Sequence, residues 1–317
     1  MKLPSWLELS EEVSDALNEK KPLVALESSV WCQGLPRPFN FETALEMEAQ
    51  VRLAGSIPAL TWLSEGKINV GCDRAQLESL CSADGVKKVG AGDLPGALAK
   101  GHQGATTVSG TLVIADRLGI SVFATGGIGG VHRDWSKQMD ISADLLQLTR
   151  TRCLTVCSGA KSVLDISTTL EKLESLAVPL LLYRTDNFPE FYNEGSRAPF
   201  GTRCDEPEEV ARALRLSLEL FDHAPLLVQT IPSEYAVPRD KLEGWVAEGL
   251  EKAESESVEG KAVTPFLLSH IAQVSDGLTL DANRVLLLHN AHLAGQVAAA
   301  LAQEETKETA SWPAVTI

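Results

Sequence analysis

Short apolar segments suited to strands alternate with amphipathic segments suited to helices along almost the whole chain, and that alternation leaves few folds open. Strand signals fall at residues 23–26, 59–63, 67–70, 121–124, 153–157, 179–183 and 226–229, each punctuated by Gly, Pro or Asp. Between them, apolar residues recur at three-to-four spacing over 11–18, 41–53, 106–118, 143–148, 208–220, 241–254 and 283–301. Ser10 and Asn40 stand where the first two of these helices need N-caps. Strands separated by helix-length connections pair in parallel through crossovers, so the expected class is α/β. No internal repeat and no long Pro/Ser/Gly linker divides the chain, so residues 1–302 read as a single domain. Periodicity fades from Glu304 onward, and residues 303–317 read as a disordered tail.

Composition narrows the partners. A net charge of -15 repels phosphate backbones and anionic lipid, so neither nucleic acid nor a membrane surface is expected. No run approaches the roughly 18 uninterrupted apolar residues of a membrane span, and the first residues, MKLPSWLELSEEV, lack the apolar centre of a secretory leader. The six cysteines contain no CxxC pair and read as reduced, mostly buried thiols, which suits the cytoplasm.

The residues with chemical potential concentrate in a few places. Thr125 opens TGGIGGVHR, with four glycines in five positions after a strand. Such a loop either brings backbone amides against a phosphate or sugar or is a tight turn with no ligand, and its spacing matches no nucleotide fingerprint. In MDISADLLQL, Asp140 and Asp144 would share a face if both were helical and could flank a hard metal; equally, Ser142 or Asp140 could cap the helix. In CLTVCSGAKS, a strand turns through Ser158 and Gly159 into Lys161, at the carboxyl edge where α/β sheets bind ligands. In an apolar pocket that lysine would act as a neutral amine on a carbonyl; otherwise it is a solvated surface group. Glu27, ending the strand VALE, is either a general acid/base or a turn carboxylate. His289 and His292 share a helix face without zinc spacing, and Cys153 and Cys157 read as core packing.

Taken together, ALESS at 25–29, QGATTV at 103–108, FATGGIGGVHR at 123–133, DISADL at 140–145, SGAKS at 158–162 and TPFLL at 264–268 resemble the pseudouridine-5'-phosphate glycosidase family, in order from about residue 8 to 302. The resemblance implies an α/β/α layered core with a mixed or mostly parallel sheet and a homotrimer. It also implies an enzyme that makes or breaks the carbon-carbon bond between C1' of ribose 5-phosphate and a planar ring such as uracil. Lys161 falls on the imine-forming lysine, Glu27 on the acid/base, and Asp144 on the ligand of a Mn²⁺ ion. Lys88 falls on a second active-site lysine and Asn283 on a base-contacting asparagine, while Thr107, Val108, Thr125, His132 and Ser142 line the sugar-phosphate or ring pocket.

The chain also departs from that pattern. Ala91 and Gly92 replace an arginine pair, Cys32-Gln33-Gly34 replaces Ser-His-Gly, His289-Asn290 replaces Asn-Asn, and Asp186 stands where a lysine is expected. A less basic rim would suit an aromatic natural-product acceptor in place of uracil. Two other readings stay open: a Schiff-base phosphosugar aldolase, which would use Lys161 without Asn283, and a binding protein that has lost catalysis.

Overall fold

A computed structural model of the chain describes residues 4–133, 135, 139–258, 260 and 263–311, with side chains up to Glu304. Eleven strands form one large sheet, and two short antiparallel pairs lie outside it. In chain order the strands are β1 (Leu7–Leu9), β2 (Leu23–Glu27), β3 (Ile57–Ser64), β4 (Lys67–Val70), β5 (Lys87–Val89), β6 (Gly104–Thr106), β7 (Val122–Ala124), β8 (Val131–His132), β9 (Leu154–Cys157), β10 (Leu164–Asp165), β11 (Leu180–Tyr183), β12 (Asn187–Phe188), β13 (Ser196–Arg197), β14 (Thr202–Cys204) and β15 (Leu226–Val228). The large sheet runs β1-β4-β3-β2-β7-β9-β15-β11-β14, with β6 joined to β3 and β5 to β6. Every pairing from β3 to β14 along that path is parallel, whereas β4 and β6 run antiparallel to β3. The expected mixed, mostly parallel α/β sheet is present.

Parallel strands need cover on both faces. The central strands supply continuous apolar runs for it, and every residue of β2, β7, β9 and β15 is buried. The helices are α1 (Glu11–Asn18), α2 (Ser29–Gln33), α3 (Phe39–Leu53), α4 (Arg74–Ser82), α5 (Leu94–Ala99), α6 (Val108–Leu118), α7 (Ala143–Leu148), α8 (Ile166–Ser175), α9 (Pro207–Leu220), α10 (Arg239–Ser255), α11 (Val263–Val274) and α12 (Leu278–Ser311). The last of these crosses β2, β7 and β9 and packs against α3 and α9, while α6 packs on β2, β6 and β7 and against α7. By length and composition Leu278–Glu304 could cross a membrane. Here it is a core helix, with Leu286, Leu287, Ala291, Ala294 and Val297 fully buried.

Local chemistry explains where elements begin. Ser10 caps α1 as expected, accepting from Val13 N. Asn40 does not cap α3, which starts at Phe39; its buried amide instead donates to the carbonyls of Trp31 and Cys81. Pro58 lies within β3, paired only with β2 at its level because β4 and β6 join β3 further along, so its missing N–H interrupts no ladder. The strands without a sequence signal are short or polar: β5 is Lys-Lys-Val, and β14 is an edge strand with Thr202 and Arg203 exposed. At the other end, α12 continues through Ser311, beyond the point where apolar periodicity fades, and residues 312–317 lie outside the described residues.

Candidate active site

The strand order reverses at β2, which has β3 on one side and β7 on the other, and such a switch point opens a crevice at the carboxyl ends of the strands. There β2 delivers Glu27, β7 leads into Thr125, and β9 leads into Ser158 and Lys161. Two adjoining chambers form. The outer one, about 330 Å³, is lined by Lys88, Ala91, Thr107, Val108, His132, Ser142, Asp144 and Lys161. The inner one, narrower at about 40 Å³, is lined by Glu27, Gln33, Lys88, Thr125, Lys161, Phe191, Leu268 and Asn283. Ser29, Lys88, Lys161 and Thr264 border both. All ten site residues expected from sequence therefore lie on one divided crevice.

Glu27 is 3% exposed. The Ser29 hydroxyl donates to Oε2 at 2.6 Å, and the Thr125 hydroxyl donates to Oε1. Both carboxylate oxygens are thus held by side-chain hydroxyls, which fix the group yet can donate or accept. Thr125 is in turn positioned by Asn290 of α12, fully buried, whose Nδ2 donates to Thr125 O at 2.8 Å and to Ser158 Oγ at 3.2 Å. The Gln229 amide donates to Asn290 Oδ1 at 2.9 Å, so one side chain ties the ends of β7, β9 and β15 together. Neither Ser29 nor Asn290 stands among the residues expected from sequence. The serine after a strand-end acid was a visible signal, whereas the asparagine's role depends on a contact 165 residues away in the chain.

Asp144 is held differently. The backbone N–H of Ser109 donates to Oδ1 and that of Gly129 to Oδ2, each at 2.9 Å. Asp140 is not on the same helix face, because α7 begins at Ala143 with Ser142 as its N-cap, the Ser142 hydroxyl accepting from Asp144 N at 3.2 Å. Asp140 lies in the preceding loop, with Oδ2 3.7 Å from His132 Nε2. The glycine loop is shaped mainly by the protein. The amide of Ile128 donates to Gly159 O and that of Val131 to Thr169 Oγ1. A Cβ on Gly129 would come within 2.8 Å of Asp144 Oδ2, so glycine there is what lets the amide reach the carboxylate. Gly159, at φ +75°, makes the turn from β9 toward Lys161.

Burial, opposed by Asp140 but reinforced by the charges of Lys88 and Lys161, lowers the pKa of His132 below its ordinary 6.5. The ring is therefore neutral near pH 7. Cys157, wholly buried at the end of β9, is pushed up to about 12 by desolvation and is a packing thiol. All six cysteines are free, four of them buried, as read from sequence. His289 and His292 line a separate groove with Tyr183 and Gln229.

Among the described residues no group of three His, Cys, Asp or Glu side chains could cage a metal. The donor set does fit a hydrated hard ion. Asp144 lines the outer chamber, each of its oxygens uses one acceptor position on an amide, and manganese-type ions accept a single carboxylate completed by water and ligand oxygens.

Fold and site together define a layered α/β protein with a lysine and a buried carboxylate lining one chamber at the switch point of its sheet. The family model described as "Indigoidine synthase A like protein" matches residues 12–300. Pseudouridine-5'-phosphate glycosidase of Paracoccus denitrificans is 44% identical over 303 residues, covering 95% of this chain and all of that one. The Gemmatimonas aurantiaca protein of the same name is 45% identical, covering 92% and 95%. Among solved structures, the prealnumycin C-glycosynthase AlnA, in complex with ribulose 5-phosphate, is 40% identical with a TM-score of 0.88, covering 96% of this chain and all of that one. An indigoidine synthase A-like protein of Thermotoga maritima is 36% identical with a TM-score of 0.84, covering 93% and 96%. The chain belongs to the pseudouridine-5'-phosphate glycosidase family, the indigoidine synthase A-like proteins.

Proposed function

We propose that this protein makes or breaks the carbon-carbon bond between C1' of ribose 5-phosphate and a planar ring, through an imine between Lys161 and the opened sugar. The observation that carries this reading is the position of Lys161 on the border of both chambers, with Glu27 on the inner wall. A sugar phosphate in the outer chamber and a ring edge in the inner one would put the bond between them beside the amine. The names of the relatives support it.

A C-glycoside has no heteroatom leaving group to protonate, so the sugar ring must open and C1' must become an electron sink. Condensation of the Lys161 amine with the C1' aldehyde releases water and leaves an imine that accepts electrons once protonated. Glu27 then moves the proton at the reacting carbon of the ring, and its two hydroxyl partners can follow either protonation state. Lys88, Thr107, Val108, His132 and Ser142 hold the sugar phosphate. Thr125 steadies Glu27, and Asn283 meets the ring from the inner wall. A Mn²⁺ ion on Asp144 would add positive charge for the phosphate, in a rim where Ala91 and Gly92 supply none.

Incubation with Mn²⁺, ribose 5-phosphate and uracil tests the reading by formation of pseudouridine 5'-phosphate. The uncharged Ala91-Gly92 rim favours a second reading, an aromatic natural-product ring as acceptor, and efficient turnover with uracil removes it. Trapping of ribose 5-phosphate by borohydride without any C-glycoside would favour an aldolase. The homotrimer and the cytoplasm belong to the same proposal. The exposed Met139, Ile141 and Leu146, of which Ile141 lines the outer chamber, support burial against another copy, checked by sedimentation, and free thiols suit a reducing compartment.

A further inference from the structure

Two residues that line the inner chamber carry side-chain carbonyl oxygens without a hydrogen-bond partner. Gln33, at the end of α2, donates its Nε2 to Val86 O at 3.1 Å, and this fixes the orientation of the amide, because a carbonyl on Val86 cannot accept from another carbonyl. Its Oε1 is buried with no hydrogen-bond partner. Asn283, also on the lining of the chamber, is 3% exposed, and its Oδ1 is likewise buried without a partner. Val30, Phe191, Pro265 and Leu268 supply the apolar part of the inner wall, beside the polar Glu27, Ser29, Lys88, Thr125, Lys161 and Thr264. Buried acceptors without donors are costly unless a ligand supplies the donors.

We propose that Gln33 is a specificity-determining residue that accepts a hydrogen bond from the edge of the acceptor ring, selecting planar rings that carry N–H or phenolic O–H donors on that edge. This rests on the reading that a ring edge enters the inner chamber beside Lys161. A neutral amide held by Val86 presents a fixed acceptor with no charge and no second tautomer, so Gln33 discriminates between ring edges by donor count. Sites built around such a bond reject analogues lacking the donor more strongly than sites relying on apolar contact.

The test is a double-mutant cycle on ring binding, measured by calorimetry with the full chain in the presence of Mn²⁺ and ribose 5-phosphate. The wild type and Gln33→Leu are each titrated with uracil and 1,3-dimethyluracil, and with 1,4-dihydroxynaphthalene and its dimethyl ether. Methylation is expected to weaken binding to the wild type about tenfold or more for at least one pair, and no more than about threefold in Gln33→Leu. Equal methylation penalties in the two proteins, or no measurable binding of any ring to the wild type, overturn the proposal. Thermal unfolding verifies that Gln33→Leu is folded, and Gln33→Met, which keeps the reach of the side chain without a carbonyl acceptor, provides a second variant in which the penalty should likewise fall to no more than about threefold. Borohydride trapping of ribose 5-phosphate by the wild type is read separately. Absent trapping with an intact methylation penalty removes the imine reading and leaves Gln33's role standing.

Discussion

Glu27 and Asp144 are both buried carboxylates in the same crevice, one at each chamber, and they are held by opposite kinds of donor. Glu27 is held by the hydroxyls of Thr125 and Ser29, and Asp144 by the backbone amides of Ser109 and Gly129. Hydroxyls rotate and exchange donor for acceptor, so a carboxyl held by them can take up and release a proton without losing its partners. Backbone amides only donate, so Asp144 is fixed as an acceptor on the lining of the outer chamber. One arrangement suits a group that moves protons; the other suits a permanent anion that holds a cation.

The largest expected effect comes from breaking the first arrangement. Glu27→Gln keeps the shape but cannot shuttle a proton, and kcat should fall by about 10²–10⁴. A drop of less than tenfold in steady-state turnover would mean that another group carries the proton. Asp144→Asn attacks the second arrangement, because its NH₂ must face one of two amide N–H groups. Metal-stimulated activity should fall by about 10–100-fold and respond little to added Mn²⁺. Undiminished stimulation in a metal titration would move the ion elsewhere.

Smaller effects follow from the residues behind the acids. Asn290→Ala removes the amide that joins Thr125 and Ser158 across three strand ends, leaves a buried carbonyl unpaired, and should cost about 1–3 kcal/mol in denaturant unfolding. No change in the unfolding midpoint would refute its role as the tie.

The smallest effect is in pH. Burial lowers the pKa of His132, so the fold favours the neutral ring. Its contribution to stability is complete above the unfolded value of about 6.5 and is lost as pH falls below it, because the unfolded chain then binds a proton that the native site resists. Stability should decline below pH 6.5, and His132→Asn should flatten that decline. An unchanged profile would assign it to other groups, among them His289, whose pKa is also lowered by desolvation.

Both acids were visible in sequence, because each follows a local signal: Glu27 closes an apolar strand, and Asp144 sits in the first turn of a helix capped by Ser142. The central strands were equally legible, since burial on both faces demands unbroken apolar runs. The hands that hold the acids were less so. That Asp144 would be gripped by the amides of Ser109 and Gly129 depends on how α6 and the glycine loop approach α7, which no local pattern encodes. Helix α4 begins with a capping box of Asp73 and Gln76 yet shows weak apolar periodicity, and β5 reads as a charged loop until β6 pairs with it. Asp140 illustrates the converse: a four-residue spacing suggested a shared helix face, and a cap at Ser142 placed the first acid outside the helix.

The proposed chemistry turns on the amine of Lys161, which borders both chambers. Reduction of the protein with borohydride in the presence of ribose 5-phosphate, followed by peptide mass spectrometry, should find the pentose phosphate attached to Lys161 through a secondary amine, and Lys161→Ala should abolish both adduct and turnover. An adduct on another lysine, or full turnover by Lys161→Ala, would contradict it.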